Sequence, residues 1–168
     1  MQSAVKRLIF AGGAAVLAQG AWAALQTTPF IAVHSAPLYA GLSAMPYANP
    51  AAPKGGYLSS SSNGTFDNLN SMNGKGSAAD GVNYLFDSLM SSSLDEPGVM
   101  YPLLAEKATF DPKKTAYVIF HLNPKAKFSD GSPLTAADVK YSFDAFQTKS
   151  NPGLQMYLAD LAKTEVLS

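Results

Sequence analysis

Proline spacing restricts where regular structure can form in the first third of this chain. Five prolines fall between residues 24 and 56: Pro29, Pro37, Pro46, Pro50 and Pro53. Proline has no backbone N–H and a fixed φ, so this density excludes a helix and a central β-strand. We therefore predict an extended arm or loop over residues 24–56 and expect the main regular elements to follow it.

The first 23 residues have the pattern of an export signal. Lys6 and Arg7 precede an uncharged, mostly apolar run of eleven residues, 8–18, and Ala21-Trp22-Ala23 has the small-x-small pattern of a signal peptidase site. We predict cleavage before Ala24 and a periplasmic location. The alternative, a membrane anchor, is disfavoured because a spanning helix needs roughly 20 apolar residues.

Composition excludes several functional classes. The chain has no cysteine, which excludes a disulfide scaffold, a thiol nucleophile and a thiolate zinc site. Its formal charge is zero, and removal of Lys6 and Arg7 leaves ten basic against twelve acidic residues, a net charge of −2. We expect no nucleic-acid partner, because that contact requires a basic surface.

Three segments after residue 70 have the periodicity of amphipathic helices. The first is predicted to begin at Ser77, with an apolar stripe of Val82, Leu85, Phe86, Leu89 and Met90. The second is predicted to begin at Thr135, with Asp138 in its first turn and a stripe of Ala136, Val139, Phe143 and Phe146. The third, weaker helix is predicted over residues 154–162, with Leu154, Tyr157, Leu158 and Leu161 on one face.

Strand and turn signals complete a mixed α/β pattern. Residues 116–122 alternate as a β-strand, with Val118, Phe120 and Leu122 on one face and Tyr117, Ile119 and His121 on the other. Residues 111–114 and 128–133 are predicted turns, and the second feeds the Thr135 helix. Residues 57–62 are compatible with a flexible serine linker or with a short strand. The predicted core comprises Phe86, Leu89, Phe120, Phe128, Val139 and Phe143.

Motifs for catalysis or cofactor binding are weak. His34 and His121 lack an acid or second histidine at ligand spacing, so no metal site is predicted. Asp95-Glu96 is interpreted as a solvated turn rather than an acid/base pair. Residues 74–79 fit G-x-G-x-x-A, but no buried strand precedes them, so no dinucleotide cofactor is predicted. The sequence predicts no catalytic residues.

The order of several motifs resembles family 5 extracellular solute-binding proteins, the oligopeptide, dipeptide and nickel binding components of ABC importers. These motifs are Asn49-Pro-Ala-Ala-Pro-Lys-Gly-Gly56, Gly64-Thr-Phe-Asp-Asn-Leu-Asn70, Leu94-Asp-Glu-Pro97, Ala126-Lys-Phe-Ser-Asp-Gly131 and Pro133-Leu-Thr-Ala-Ala-Asp-Val-Lys-Tyr-Ser-Phe143. The nearest subgroup is that of oligopeptide and microcin C uptake. Asn123-Pro124 departs from the family, which usually has a basic residue after the strand's final leucine.

This resemblance implies a type II periplasmic-binding-protein-like fold, here incomplete, because family members are several times longer. It implies a signal peptide over residues 1–23, then the arm and first strand of a ligand-binding lobe over 24–70. The remainder, 71–168, would be a truncated accessory α/β domain, ending where a strand begins near Thr164. On this interpretation the chain is an N-terminal fragment, residues 24–70 are mobile, and the isolated chain binds peptide very weakly.

The same resemblance implies a monomeric, non-enzymatic protein that captures an oligopeptide-like solute and delivers it to permease subunits of an ABC importer. Within the chain, the predicted ligand contacts form a polar loop after the first strand: Thr65, Phe66, Asp67, Asn68, Leu69 and Asn70. Alternatively, Asp67 and Asn68 only cap and turn the chain. Two other functional classes stay open, a secreted hydrolase and a stand-alone periplasmic interaction domain.

Overall fold

A computed structural model describes residues 7–11, 25–32, 37–42, 44–111 and 114–167. The described residues form eight β-strands, two α-helices and a short 3-10 helix at Val82–Leu85. Their bounds are β1 Arg7–Ala11, β2 Gln26–Thr28, β3 Ile31–Ala32, β4 Met90–Ser92, β5 Val99–Pro102, β6 Ala105–Asp111, β7 Lys114–Leu122, α1 Ala136–Lys149, α2 Pro152–Tyr157 and β8 Lys163–Leu167. The predicted mixed α/β class is confirmed.

The strands form two sheets whose neighbours all pair antiparallel. The larger sheet has the order β2-β6-β7-β1-β8, and the smaller has the order β3-β5-β4. The arm contributes only edge strands, β2 and β3, as its prolines require. Among the described residues no helix is long and apolar enough to cross a membrane.

Helix α1 packs against the larger sheet, and Thr135 is its N-cap, as the sequence predicted. Thr135 Oγ1 accepts a hydrogen bond from Asp138 N–H at 3.3 Å, and the Asp138 carboxylate accepts one from Thr135 N–H at 2.8 Å. This capping box satisfies two backbone donors that the helix itself cannot use. Ala136 and Val139 are buried against Leu122 of β7 and form the main core cluster with Leu134.

The predicted helix at Ser77 is wrong. Ser77 cannot serve as an N-cap, because its N–H and C=O both bond to residues 67–68. Gly81 then adopts φ +80°, a left-handed conformation that breaks a right-handed helix before Val82. The stripe is divided: Val82 and Met90 are buried, whereas Leu85 and Phe86 are exposed.

The third predicted helix is shorter than its periodicity suggested. Asn151 Oδ1 accepts from Leu154 N–H at 2.9 Å and Pro152 occupies the first turn, so the cap begins α2 two residues early. The helix ends at Tyr157, whose side chain is exposed rather than buried. β8 then begins at Lys163, which confirms the strand expected near Thr164.

Strand β7 and the turn before α1 are confirmed. Val118, Phe120 and Leu122 pack into the core, and on the opposite face Ile119 is buried while His121 is half-buried. The 128–133 turn closes with hydrogen bonds from Phe128 N–H to Ser132 O and from Gly131 N–H to Phe128 O. Phe128 itself is exposed, so its place in the predicted core is wrong. Of the other predicted turn, Pro112 and Lys113 lie outside the described residues.

The segment from Lys54 to Gly64 forms neither helix nor strand. No backbone amide in it donates a hydrogen bond to another described residue. This geometry favours the linker interpretation of residues 57–62 in the present chain, whereas a lobe strand there stays a prediction.

We expect amides 57–62 to exchange with solvent near their unprotected rate, because they donate no bond in the described structure. Native-state hydrogen exchange followed by mass spectrometry checks this, with the amides of α1 as the protected control within the same molecule. Strong protection across 57–62 in a monomer would show that these residues pair as a strand.

Candidate functional site

The predicted ligand loop, residues 65–70, folds back onto the segment that follows it. Asp67 N–H and Asn68 N–H donate to Ser77 O at 3.0 and 3.3 Å, and Ala79 N–H donates to Asn68 O at 3.0 Å. Asn68 and Ala78 form an isolated parallel bridge. The loop backbone is therefore held in place by its own chain.

The Asp67 carboxylate is the centre of this loop. Its Oδ1 accepts from Ser77 N–H at 2.8 Å and from Asn68 Nδ2 at 3.1 Å. Gly76 passes next to it with φ +75°, and a Cβ at Gly76 would lie 2.2 Å from that oxygen. Because Gly76 has no Cβ, the Asp67 carboxylate can lie against its backbone.

The two asparagines bond to the backbone around them. Asn68 Oδ1 accepts from Asn70 N–H at 3.0 Å, and Asn70 Oδ1 accepts from Met72 N–H at 2.9 Å. Asn68 Nδ2 also donates to Lys75 O at 3.0 Å. These are the turn-forming bonds of asparagine. They support the interpretation that Asp67 and Asn68 cap and turn the chain, and ligand contact by either stays a prediction.

The loop exposes apolar side chains as well as polar ones. Phe66 and Leu69 are each 62% exposed, and Thr65 is exposed beside them in sequence. Other large apolar side chains near the loop in sequence are also exposed: Tyr57, Leu58, Tyr84, Leu85 and Phe86. Contact sites are typically built from contiguous exposed apolar surface. Within residues 65–70, Phe66 and Leu69 are the side chains available for an apolar contact.

A second group of residues was missed by the sequence analysis, and we name it the arm contact: Leu38, Tyr39, Asp95, Glu96 and Tyr101. The predicted solvated turn is wrong for Glu96, which is only 4% exposed. Its carboxylate accepts hydrogen bonds from Leu38 N–H at 2.8 Å and from the Tyr101 hydroxyl. A buried carboxylate is retained where such donors replace water.

Asp95 completes the arm contact from the exposed side. Its carboxylate accepts from Tyr39 Oη at 2.7 Å and from the Ser93 hydroxyl. Tyr39 N–H donates to Tyr101 Oη at 3.1 Å, and the two rings stack with centroids 6.2 Å apart. The bonds that join Leu38 and Tyr39 to Asp95, Glu96 and Tyr101 each span more than fifty residues, so no local pattern could have revealed the group.

Hydrogen bonding shifts the pKa values of this pair in opposite directions. The bond to the Asp95 carboxylate raises the pKa of Tyr39 from 10.0 to about 12. Hydrogen bonds from Ser93 and then Tyr39 lower the pKa of Asp95 below its usual 3.8. The Asp95 contribution to stability is thus present above pH 3.8 and lost as pH falls through the lowered pKa. The Tyr39 contribution is present below pH 10 and lost as pH rises toward 12.

We expect Tyr39→Phe to lower the urea midpoint by an amount that is constant between about pH 5 and pH 9. That difference from wild type should shrink above pH 10, because the Tyr39 hydroxyl ionises first in the unfolded chain and, toward pH 12, also in the folded protein. It should also shrink as Asp95 becomes protonated in acid. Urea unfolding across a pH series measures it, and a difference undiminished at pH 12 would contradict the assignment.

Titratable side chains elsewhere do not assemble a catalytic set in the described part of the chain. No cluster of three or more His, Asp or Glu residues there could hold a metal ion. His121 Nε2 lies 2.8 Å from Thr109 Oγ1, which in turn lies 2.7 Å from Thr27 Oγ1. His121 of β7 therefore contacts β6 across the strand pair, while His34 lies outside the described residues.

Comparison with known proteins places these elements in a family context. Residues 99–168, from β5 to β8, match the profile "Bacterial extracellular solute-binding proteins, family 5 Middle". The chain is 44% identical over 110 residues to "Uncharacterized protein YejA" of Escherichia coli K12, covering 66% of this chain and 18% of that protein.

Two relatives from Agrobacterium fabrum have names that describe binding. "Peptidoglycan-binding protein YepA" is 38% identical over 166 residues, covering 94% of this chain and 27% of that protein. "Probable peptide-binding protein YejA" is 41% identical over 120 residues, covering 71% of this chain and 19% of that protein. The chain therefore spans about a fifth to a quarter of the length of these relatives.

Proposed function

This chain is a relative of the family 5 bacterial extracellular solute-binding proteins, with residues 99–168 matching the family profile, and from that premise we propose that it belongs to a peptide-capturing component of an ABC importer. The observation that carries the proposal is the family match over β5 to β8. The names of the two Agrobacterium relatives support a peptide-bearing solute. Permease subunits of the importer would be its partners, and the periplasm its location.

The proposed mechanism is closure of two lobes on the solute within a type II periplasmic-binding fold. In such a site the backbone of an extended peptide can pair with strand edges, while water-filled pockets accept varied side chains. Residues 65–70 would form part of the contact surface from this chain. Because Asp67, Asn68 and Asn70 bond to their own loop, we assign the direct apolar contacts to Phe66 and Leu69.

We expect this chain alone to bind mixed oligopeptides more weakly than micromolar, because residues 65–70 are only one part of a two-lobed site. The full-length Agrobacterium peptide-binding relative should bind them in the micromolar range or tighter, about −8 kcal/mol. Isothermal titration of both proteins with the same peptides measures the difference. Micromolar affinity from this chain alone would refute the two-lobed mechanism.

Two other outcomes would replace the substrate class or the function. If titration of a metal chelate or a sugar releases heat of binding while no peptide does, that compound is the solute and the peptide assignment is wrong. Turnover of peptide or ester substrates would favour the secreted hydrolase. A stand-alone interaction domain would show neither solute binding nor turnover but would bind another periplasmic protein, and size-exclusion chromatography with light scattering tests the proposed monomer at the same time.

A further inference from the structure

β1 lies between β7 and β8 in the larger sheet. β7 and β8 both pair antiparallel with β1, so they run parallel to each other with one strand between them. Adjacent strands lie about 4.8 Å apart, so β7 and β8 are separated by about 10 Å. Since α1 and α2 connect β7 to β8, this is a split β-α-β unit, whose intervening strand must come from elsewhere in the sequence.

The two flanking strands and the strand between them have different origins. The family profile matches residues 99–168 and thus includes both β7 and β8. β1 comes from residues 7–11, inside the predicted export signal. Each of its five residues has a partner on both sides, 117–121 of β7 and 163–167 of β8. Ile9 and Phe10 suit a strand, because β-branched and aromatic residues favour strands.

We propose that the position between β7 and β8 is a strand-acceptor site, which residues 7–11 occupy in the intact chain and vacate when the export signal is removed. In the described sheet β8 has β1 as its strand neighbour, so removal of β1 leaves β8 unpaired and opens one edge of β7. Unpaired edges accept an extended segment through backbone hydrogen bonds. The ligand class is therefore an extended, mostly apolar strand, antiparallel to both neighbours.

Engineered disulfides test the occupancy directly, because the chain has no cysteine of its own. Leu8 pairs with Val166, and Ile9 pairs with Glu165; both β8 side chains are exposed. Successive antiparallel pairs alternate between two geometries, so Leu8→Cys/Val166→Cys and Ile9→Cys/Glu165→Cys sample both. We expect at least one variant of the intact chain to form its disulfide on mild oxidation.

The matched control is Leu8→Cys/Leu94→Cys, since Leu94 is exposed and lies outside the larger sheet. This control should stay reduced. A lack of cross-linking in both test pairs, or cross-linking of the control to the same extent, would overturn the proposal.

Hydrogen exchange of the intact chain provides a second and independent measurement. Ile9→Pro removes a ladder donor from β1, so amides 163–167 of β8 should exchange at least about tenfold faster, whereas Ile9→Val should leave them unchanged. A synthetic peptide of residues 4–14 added to Ile9→Pro should restore protection, and the same peptide carrying the proline should not. Protection of β8 that is equal in Ile9→Pro and wild type would overturn the proposal. Occupancy of the position by residues 7–11 does not depend on the proposed function, and only the vacating of the position depends on export of the chain. Neither measurement involves a solute, so both can fail or succeed independently of solute binding.

Discussion

Glu96→Ala should lower the free energy of unfolding by about 3 kcal/mol. The substitution removes the acceptor for both Leu38 N–H and the Tyr101 hydroxyl, in a place where the Glu96 side chain is only 4% exposed. The Tyr101 hydroxyl is buried, and a buried donor left without a partner costs about 1–3 kcal/mol. The arm around Leu38 should also detach, because this carboxylate holds it to the turn before β5. Urea unfolding measures the loss, and limited proteolysis within residues 37–47 measures the detachment.

Two matched variants separate hydrogen bonding from loss of charge. Glu96→Gln keeps one carbonyl acceptor in nearly the same shape, so its loss should be smaller than that of Glu96→Ala. Glu106→Ala removes an exposed carboxylate from β6 and should change stability by no more than about 0.5 kcal/mol. If Glu96→Ala unfolds at the same urea concentration as Glu106→Ala, the arm contact does not stabilise the protein.

Leu122→Ala should also cost about 3 kcal/mol, because deletion of a buried leucine side chain leaves a cavity between β7 and α1. Leu122 is 5% exposed and belongs to the core cluster with Leu134, Ala136 and Val139. A loss of this size is a large share of the stability of a typical domain. Urea unfolding measures it, and faster exchange of the α1 amides should accompany it.

Leu85→Ala is the matched control for that variant. The sequence predicted Leu85 in the buried stripe of a helix, whereas the structure leaves it 70% exposed after the 3-10 turn. Its truncation should therefore be nearly neutral. If Leu85→Ala costs as much as Leu122→Ala, the helix predicted from Ser77 forms after all.

The parts of this protein that the sequence predicted correctly depend on residues close to one another in the chain. The capping box of α1 joins Thr135 to Asp138, and the turn before it is closed within residues 128–132. The alternation of β7 needs only successive residues. Such signals can be recognised without knowing which distant segment packs against them, because their hydrogen bonds and periodicity are local.

The predictions that failed are those in which a distant segment competes with a local preference. Ser77 and Asp80 look like a helix start, but Ser77 bonds to Asp67 and Asn68, and Gly81 adopts a left-handed conformation. Asp95 and Glu96 look like a solvated pair, yet the arm supplies donors from residues 38 and 39. In both places, a partner outside the local pattern, ten residues away for Ser77 and more than fifty for the acid pair, satisfies polar groups that this pattern left unassigned.

By itself, the sequence of this chain determined the mixed α/β class, the position of α1 and β7, the exclusion of a helix and a central strand from the arm, and the relationship to a solute-binding family. Tertiary structure alone decided that Asp67 and Asn68 bond to the chain around residues 75–77, while Phe66 and Leu69 stay exposed. It also decided that Glu96 is buried and that residues 7–11 lie between β7 and β8. The physical reason is that burial and strand pairing are set by partners brought together from distant parts of the chain, which local periodicity does not encode.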